Sequence, residues 1–189
     1  MATLYVYVAG PDGAGKTQFL RSLGPSANFW TDADGVEYRR LTVDETLEIM
    51  VIGQADSTRF DKLLEIAQRD LLGYLLIVDS TAPETWSMAR IMLANCRGYA
   101  LMPTLIVANK QDLPNAATPE NVGGWIGMEA MVYVAPCQAT NSISARHAFL
   151  QLLYAVNNEI ERLDALIKQI EEMLRSENGG SPQAAGEAV

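Results

Sequence analysis

Residues Gly10-Pro11-Asp12-Gly13-Ala14-Gly15-Lys16-Thr17 carry a complete G-x-x-x-x-G-K-[S/T] spacing directly after the apolar, β-rich run Leu4 to Ala9. These residue types in this order suit phosphate chemistry. Glycines let successive backbone N–H groups turn inward on phosphate oxygens, a lysine reaches the β- and γ-phosphates, and the last hydroxyl ligates Mg²⁺. In this chain the cradle is Asp12, Gly13, Ala14 and Gly15, the reaching ammonium is Lys16, and the hydroxyl is Thr17. A helix starting near Gly15 adds its positive end to the same anion site.

Such a loop needs a strand before it and a helix after it, and the chain supplies that alternation throughout. Apolar, β-branched runs recur at Leu4 to Ala9, Leu41 to Val43, Leu47 to Ile52, Gly73 to Val78, Thr104 to Ala108 and Met131 to Ala135, which predicts six strands. Helix-length segments separate most of them. Thr81-Ala82-Pro83-Glu84 reads as a capping box and Thr118-Pro119-Glu120 as a cap before a first-turn proline. Strand–helix alternation predicts a mostly parallel sheet covered on both faces. The exception is residues 36 to 52, where Asp44-Glu45 is too short a link for anything but an antiparallel hairpin.

With 189 residues and 49% hydrophobic content, the chain suits one domain with a full core. Fourteen basic against 23 acidic residues leave a net charge of -9, which disfavours nucleic acid or an anionic membrane as the main partner. Neither terminus carries a lipidation signal, no apolar run is long enough to cross a membrane, and the only cysteines, Cys96 and Cys137, lack metal-ligand spacing. The expectation is a cytoplasmic protein with reduced thiols and no direct membrane anchor.

Asn109-Lys110-Gln111-Asp112-Leu113-Pro114 follows the fifth strand, and Cys137-Gln138-Ala139-Thr140 follows the sixth. With the phosphate loop ahead of them in the right order, these motifs resemble those of Ras-superfamily small GTPases, nearest in N-K-Q-D-L-P to the Arf-like branch and to bacterial and archaeal gliding-polarity GTPases. The resemblance covers about residues 3 to 158. It implies an α/β fold, a P-loop NTPase three-layer sandwich with a six-stranded, mainly parallel sheet and five helices, and a GTP/GDP switch using Mg²⁺. It also implies that Asp112 accepts from guanine N1 and N2, that Asn109 holds the loop, that Lys110 lies against the base, and that the backbone near Ala139, between Gln138 and Thr140, meets the guanine oxygen. The physics agrees for Asp112, because adenine would leave that carboxylate facing an acceptor, and unpaired buried polar groups are costly.

The switch regions depart from the family pattern. The resemblance leads one to expect D-x-x-G-Q at the end of the third strand, with the aspartate on Mg²⁺ and the glutamine orienting water. The chain reads Met50-Val51-Ile52-Gly53-Gln54-Ala55-Asp56-Ser57-Thr58-Arg59-Phe60. In one register Met50 replaces the aspartate and Gln54 is the catalytic glutamine. In the other, set by Arg59-Phe60 and the 19-residue step from Phe60 to Asp79, Gly53 replaces the aspartate and Ser57 the glutamine. The second needs no insertion and is preferred, and both lack the Mg²⁺-directed aspartate. In the first switch segment, Asn28 to Gly35, Thr31 is the candidate metal-ligating threonine although its register is off by a step, with Asp32 and Asp34 as alternatives. An intact phosphate loop and base loop beside eroded switches predict either slow or partner-dependent GTP hydrolysis, or a scaffold that binds GTP without cleaving it.

Ile160, Leu163, Ile167, Ile170 and Leu174 follow a three-and-four spacing over about two heptads, which predicts a C-terminal helical extension, 159–176, ahead of a disordered tail, 177–189. That seam suits either packing on its own domain or homodimerisation. The partners implied by the resemblance are effector and regulator proteins, roadblock-type regulators among them.

Overall fold

The protein is described here from a computed structural model, which covers residues 1–54, 70–128 and 130–178, without the side chains of 174–178. Its sheet is built from β1 (Ala2–Ala9), β2 (Phe29–Thr31), β3 (Val36–Thr42), β4 (Leu47–Gln54), β5 (Leu71–Asp79), β6 (Thr104–Asn109) and β7 (Val132–Pro136), in the order β2-β3-β4-β1-β5-β6-β7. The α-helices among the described residues are α1 (Lys16–Ser22), α2 (Trp86–Tyr99), α3 (Pro119–Ile126) and α4 (Ser142–Asn178). Residues 1–156 form one compact unit and 157–189 a second.

Strand alternation sorts β1 cleanly between two cores. Val6 and Val8 pack with Phe19 and Leu20 of α1 and Phe149 of α4, whereas Tyr7 and Ala9 face the layer of α2 and α3 that contains Trp86 and Ile126. Both faces are buried, which explains why the central strands read as continuous apolar runs. β1 pairs in parallel with β4 on one side and β5 on the other. Its carboxyl end is therefore the switch point of the sheet, where open α/β folds place their ligands.

The expected antiparallel hairpin joins β3 to β4, and Asp44 shapes its turn by accepting from the backbone N–H groups of Thr46 at 2.7 Å and Leu47 at 3.0 Å. The strand count needs correction: the sheet has seven strands rather than six. The added strand, β2, is three residues of the segment read as a switch loop, and it pairs Thr31 with Glu37 and Trp30 with Tyr38. Asp32 closes the turn behind it by accepting from the N–H groups of Asp34 and Val36 and from the Tyr38 hydroxyl. The Thr81 capping box is also corrected, since a short 3₁₀ turn, Pro83–Thr85, intervenes before α2. Thr118 does cap α3, accepting from Asn121 N–H at 3.3 Å.

Both cysteines are free and buried, and burial pushes their thiols up, to about 12 for Cys96 and about 11 for Cys137, so each remains a protonated core side chain. No helix among the described residues is long and apolar enough to cross a membrane. In the second unit, Ile160, Leu163, Ile167 and Ile170 are exposed along α4. The tail expected from residue 177 lies, from 179 onward, outside the described residues.

Candidate functional site

The phosphate loop leaves β1 through Gly10 and enters α1 at Gly15, which has a left-handed φ of 102°. A side chain there would also collide with the Asn109 amide, so both conformation and space require glycine. Lys16 is 5% exposed despite its charge, and its ammonium donates to Gly10 O at 2.7 Å and Pro11 O at 2.9 Å, with Asp12 Oδ1 at 3.8 Å. The backbone of the loop thus holds the cation inside the cradle, where phosphate oxygens would be competing acceptors of the same kind. Ala14, buried completely, anchors the centre of the loop.

Beside the loop, one buried side chain ties three loops together. Asn109, 3% exposed at the end of β6, donates through Nδ2 to Ala14 O of the phosphate loop and accepts at Oδ1 from Ala139 N–H, each at 2.8 Å. Next to it Lys110 takes a left-handed φ of 65°, uncommon outside glycine, and its Nζ lies 2.5 Å from Asp79 Oδ2. Asp79 also accepts from the N–H and hydroxyl of Thr81. Burial opposes ionisation of Asp79, but the hydrogen bonds from Lys110 and Thr81 prevail and hold its carboxyl below the ordinary range. Gln111 secures the following turn, donating to Ser80 Oγ and Ala117 O.

Gly15, Gln18, Asn109, Lys110, Asp112, Leu113, Ala139 and Thr140 enclose a mainly apolar cleft of about 280 Å³. All but Gln18 and Leu113 are residues that the motifs singled out. Asp112 is exposed at its edge and also borders a more open hollow of about 510 Å³ beside Gln138 and His147. The N–H of Ala139 is engaged by Asn109 and that of Gln138 by Ser144 Oγ at 2.9 Å, so the structure uses both as internal ties.

The opposite end of the cradle is built differently. Thr17 Oγ1 donates to Glu37, with Oε1 at 2.8 Å and Oε2 at 2.9 Å. Glu37 is 5% exposed and pairs across the sheet with Gly53 on one side and Thr31 on the other, so these three positions share a sheet face. Thr31 is exposed at the edge of that row. Gln54 follows Gly53 and therefore faces the other side, where it is buried and its carboxamide oxygen has no hydrogen-bond partner among the described residues. The structure does not bring Gln54 to the Lys16–Thr17 face. Ser57 lies outside the described residues.

Motif reading missed Glu37, although a signal was present. In Val36-Glu37-Tyr38-Arg39 the alternate positions 37 and 39 carry charge, and both are buried. Arg39, with no exposed surface, donates to Leu20 O, Arg21 O and Pro25 O at the far end of α1. Strand β3 thus grips α1 at both ends, by a carboxylate at Thr17 and by a cation at the carbonyl terminus, as the helix dipole favours for the latter. Among the described residues no three His, Cys, Asp or Glu side chains gather as a metal cage. The donors at Thr17 and Glu37 are all hard oxygens, which fits Mg²⁺, an ion that ordinarily takes few protein ligands and completes its shell with phosphate and water.

Among solved structures, the chain is similar to the Arl6 BBS3 small GTPase from Trypanosoma brucei with bound nucleotide analogue GppNp, with a TM-score of 0.64, 17% identity, and coverage of 83% of this chain and 99% of that one. No family model matches the chain, and no curated protein matches it in sequence.

Proposed function

We propose that this chain, whose fold is that of an Arf-like small GTPase of the Ras superfamily, is a guanine-nucleotide-binding module that takes GTP or GDP with Mg²⁺ and acts as a cytoplasmic switch toward effector and regulator proteins. The observation that carries the reading is the Asn109 bridge, because it ties the loop at Ala14 to the loops of Asn109 and Ala139, and Asp112 lines the cleft between them. In that assignment Gly13, Ala14 and Gly15 cradle phosphate, Lys16 neutralises its charge, and Asp112 selects guanine while Lys110, fixed by Asp79, covers the base. Mg²⁺, when bound, supplies electrostatic stabilisation of charge on the phosphates. Thr17 would hold it.

Hydrolysis, in this reading, is slow or dependent on groups supplied by a partner. Intrinsic cleavage by this class is already on the order of 10⁻⁴ to 10⁻³ s⁻¹ when a water-orienting glutamine is present. The burial of Gln54 on the other face of the sheet favours a second reading, a GTP-held scaffold that does not cleave its ligand. Calorimetric titration with GDP, GTP and ATP tests the binding: guanine nucleotides should bind and ATP should not, and equal affinity for ATP would remove the base-site assignment. Chromatography of protein-bound GTP over several hours separates switch from scaffold.

A further inference from the structure

We propose that Glu37 is the carboxylate of the Mg²⁺ site, so that the cation is held at Thr17 with the help of β3 and without an acidic side chain at the end of β4. The inference rests on the nucleotide-binding reading above and concerns how that site is completed. P-loop sites pair the loop hydroxyl with a carboxylate from a nearby strand. Here the residue of β4 in register with Glu37 is Gly53, and a Cβ at Gly53 would already lie 3.0 Å from Leu20 Cδ1 and 3.3 Å from Val8 Cβ. β4 therefore packs closely against α1 at this point and offers no acidic group. One strand over, Glu37 directs both carboxylate oxygens at the Thr17 hydroxyl.

The direction of that hydrogen bond matters. Because Thr17 donates its proton to Glu37, the lone pairs of its oxygen are left for a cation, and the carboxylate adds the negative charge that a neutral hydroxyl lacks. Burial strengthens the argument. A carboxylate with 5% exposure is costly unless a cation or several donors compensate it, and among the described residues the hydrogen bonds to the Glu37 carboxylate come from this one hydroxyl. Mg²⁺ would offset that cost. Glu37 acts here as a positioning residue for the metal and touches no reacting atom.

The test is release of a fluorescent GDP analogue from the full chain, in millimolar Mg²⁺ and in EDTA, for wild type and Glu37→Gln. Glutamine still offers Thr17 an acceptor of nearly the same shape and removes only the charge. In wild type, Mg²⁺ should slow release about tenfold or more, the usual scale of such coupling. In Glu37→Gln the slowing should disappear while the rate in EDTA stays within about twofold of wild type. Mn²⁺ titration of the GDP-loaded protein, read by electron paramagnetic resonance, should show the matching loss of metal affinity and its recovery in part with Glu37→Asp. Slowing by Mg²⁺ that survives in Glu37→Gln overturns the proposal and leaves nucleotide binding standing. Equal acceleration of release in Mg²⁺ and EDTA also overturns it, since Glu37 would then only support the loop. If wild type does not bind the analogue at all, both readings fall together. Should Glu37→Gln not fold, Glu37→Asp with the Mn²⁺ readout decides, and metal affinity equal to wild type counts against Glu37.

Discussion

The Asn109 end and the Thr17 end of the cradle hold their polar groups in different ways. At the first, Asn109 satisfies two backbone groups of two separate loops at once, and Asp79 accepts from both Lys110 and Thr81. At the Thr17 end Gly53 offers no side chain, Gln54 is turned to the other face, and one carboxylate rests on one hydroxyl. A fully satisfied network specifies one geometry, whereas a group with spare acceptor capacity keeps room for a ligand. On the proposed reading, selectivity for the base is built into the resting protein, while the end meant for metal and γ-phosphate relies on what binds there.

The sharpest way to break that contrast is Asn109→Ala. It strands Ala14 O and Ala139 N–H in a buried position, at about 1–3 kcal/mol for each group. Melting temperature should fall by roughly 4–24 °C, given about 2–4 °C per kcal/mol for a chain of this size, and guanine nucleotide affinity should fall with it. A melt within a degree of wild type would show that the bridge holds nothing together.

Asp112→Asn comes next. Hydrogen bonds to a charged group are worth about 1.5–3 kcal/mol, so GDP affinity should drop by roughly 10- to 150-fold with little change in melting, because Asp112 is exposed. Calorimetry would read this directly, and unchanged GDP affinity would move the base site elsewhere.

The Lys110–Asp79 pair gives a smaller, pH-dependent effect. Asp79 has its folded-state ionisation shifted below the unfolded value, so its stabilising contribution is complete above the unfolded value and is lost as pH falls through the folded one. The melting difference between wild type and Asp79→Asn should therefore be full at pH 7 and close below about pH 4. A difference that instead closed between pH 6 and 8 would assign it to another group.

The smallest effect belongs to Gln54→Leu. Its carboxamide oxygen is buried with no partner among the described residues, so replacing it should leave the fold at least as stable and change single-turnover GTP cleavage by less than about twofold. A tenfold loss of cleavage would restore Gln54 as the water-orienting residue and erase the asymmetry between the two ends.

Much of the architecture was legible because it depends on short-range signals. The β1 run with its loop, the Asp44 turn and the Thr118 cap are each read from a few adjacent residues, and all three stand in the structure. The edge strand β2 was not legible, since three residues of Phe-Trp-Thr give too short a period to distinguish from a loop; it is a strand because β3 offers it partners and Asp32 closes the turn between them. The capping box at Thr81 misled because Thr81 bonds to Asp79 instead of starting the helix.

Local sequence set the glycine turn that enters α1 and the alternation that forms a doubly covered sheet, because contiguous glycines and apolar runs impose their backbone geometry locally. Only the tertiary structure decided which acidic residue meets Thr17 and which side of the sheet receives Gln54. Those outcomes follow from strand register, where Glu37 lies opposite Gly53 and a shift of one residue would exchange the two faces. Register is set by the packing of both cores against the whole sheet, and no local motif encodes it.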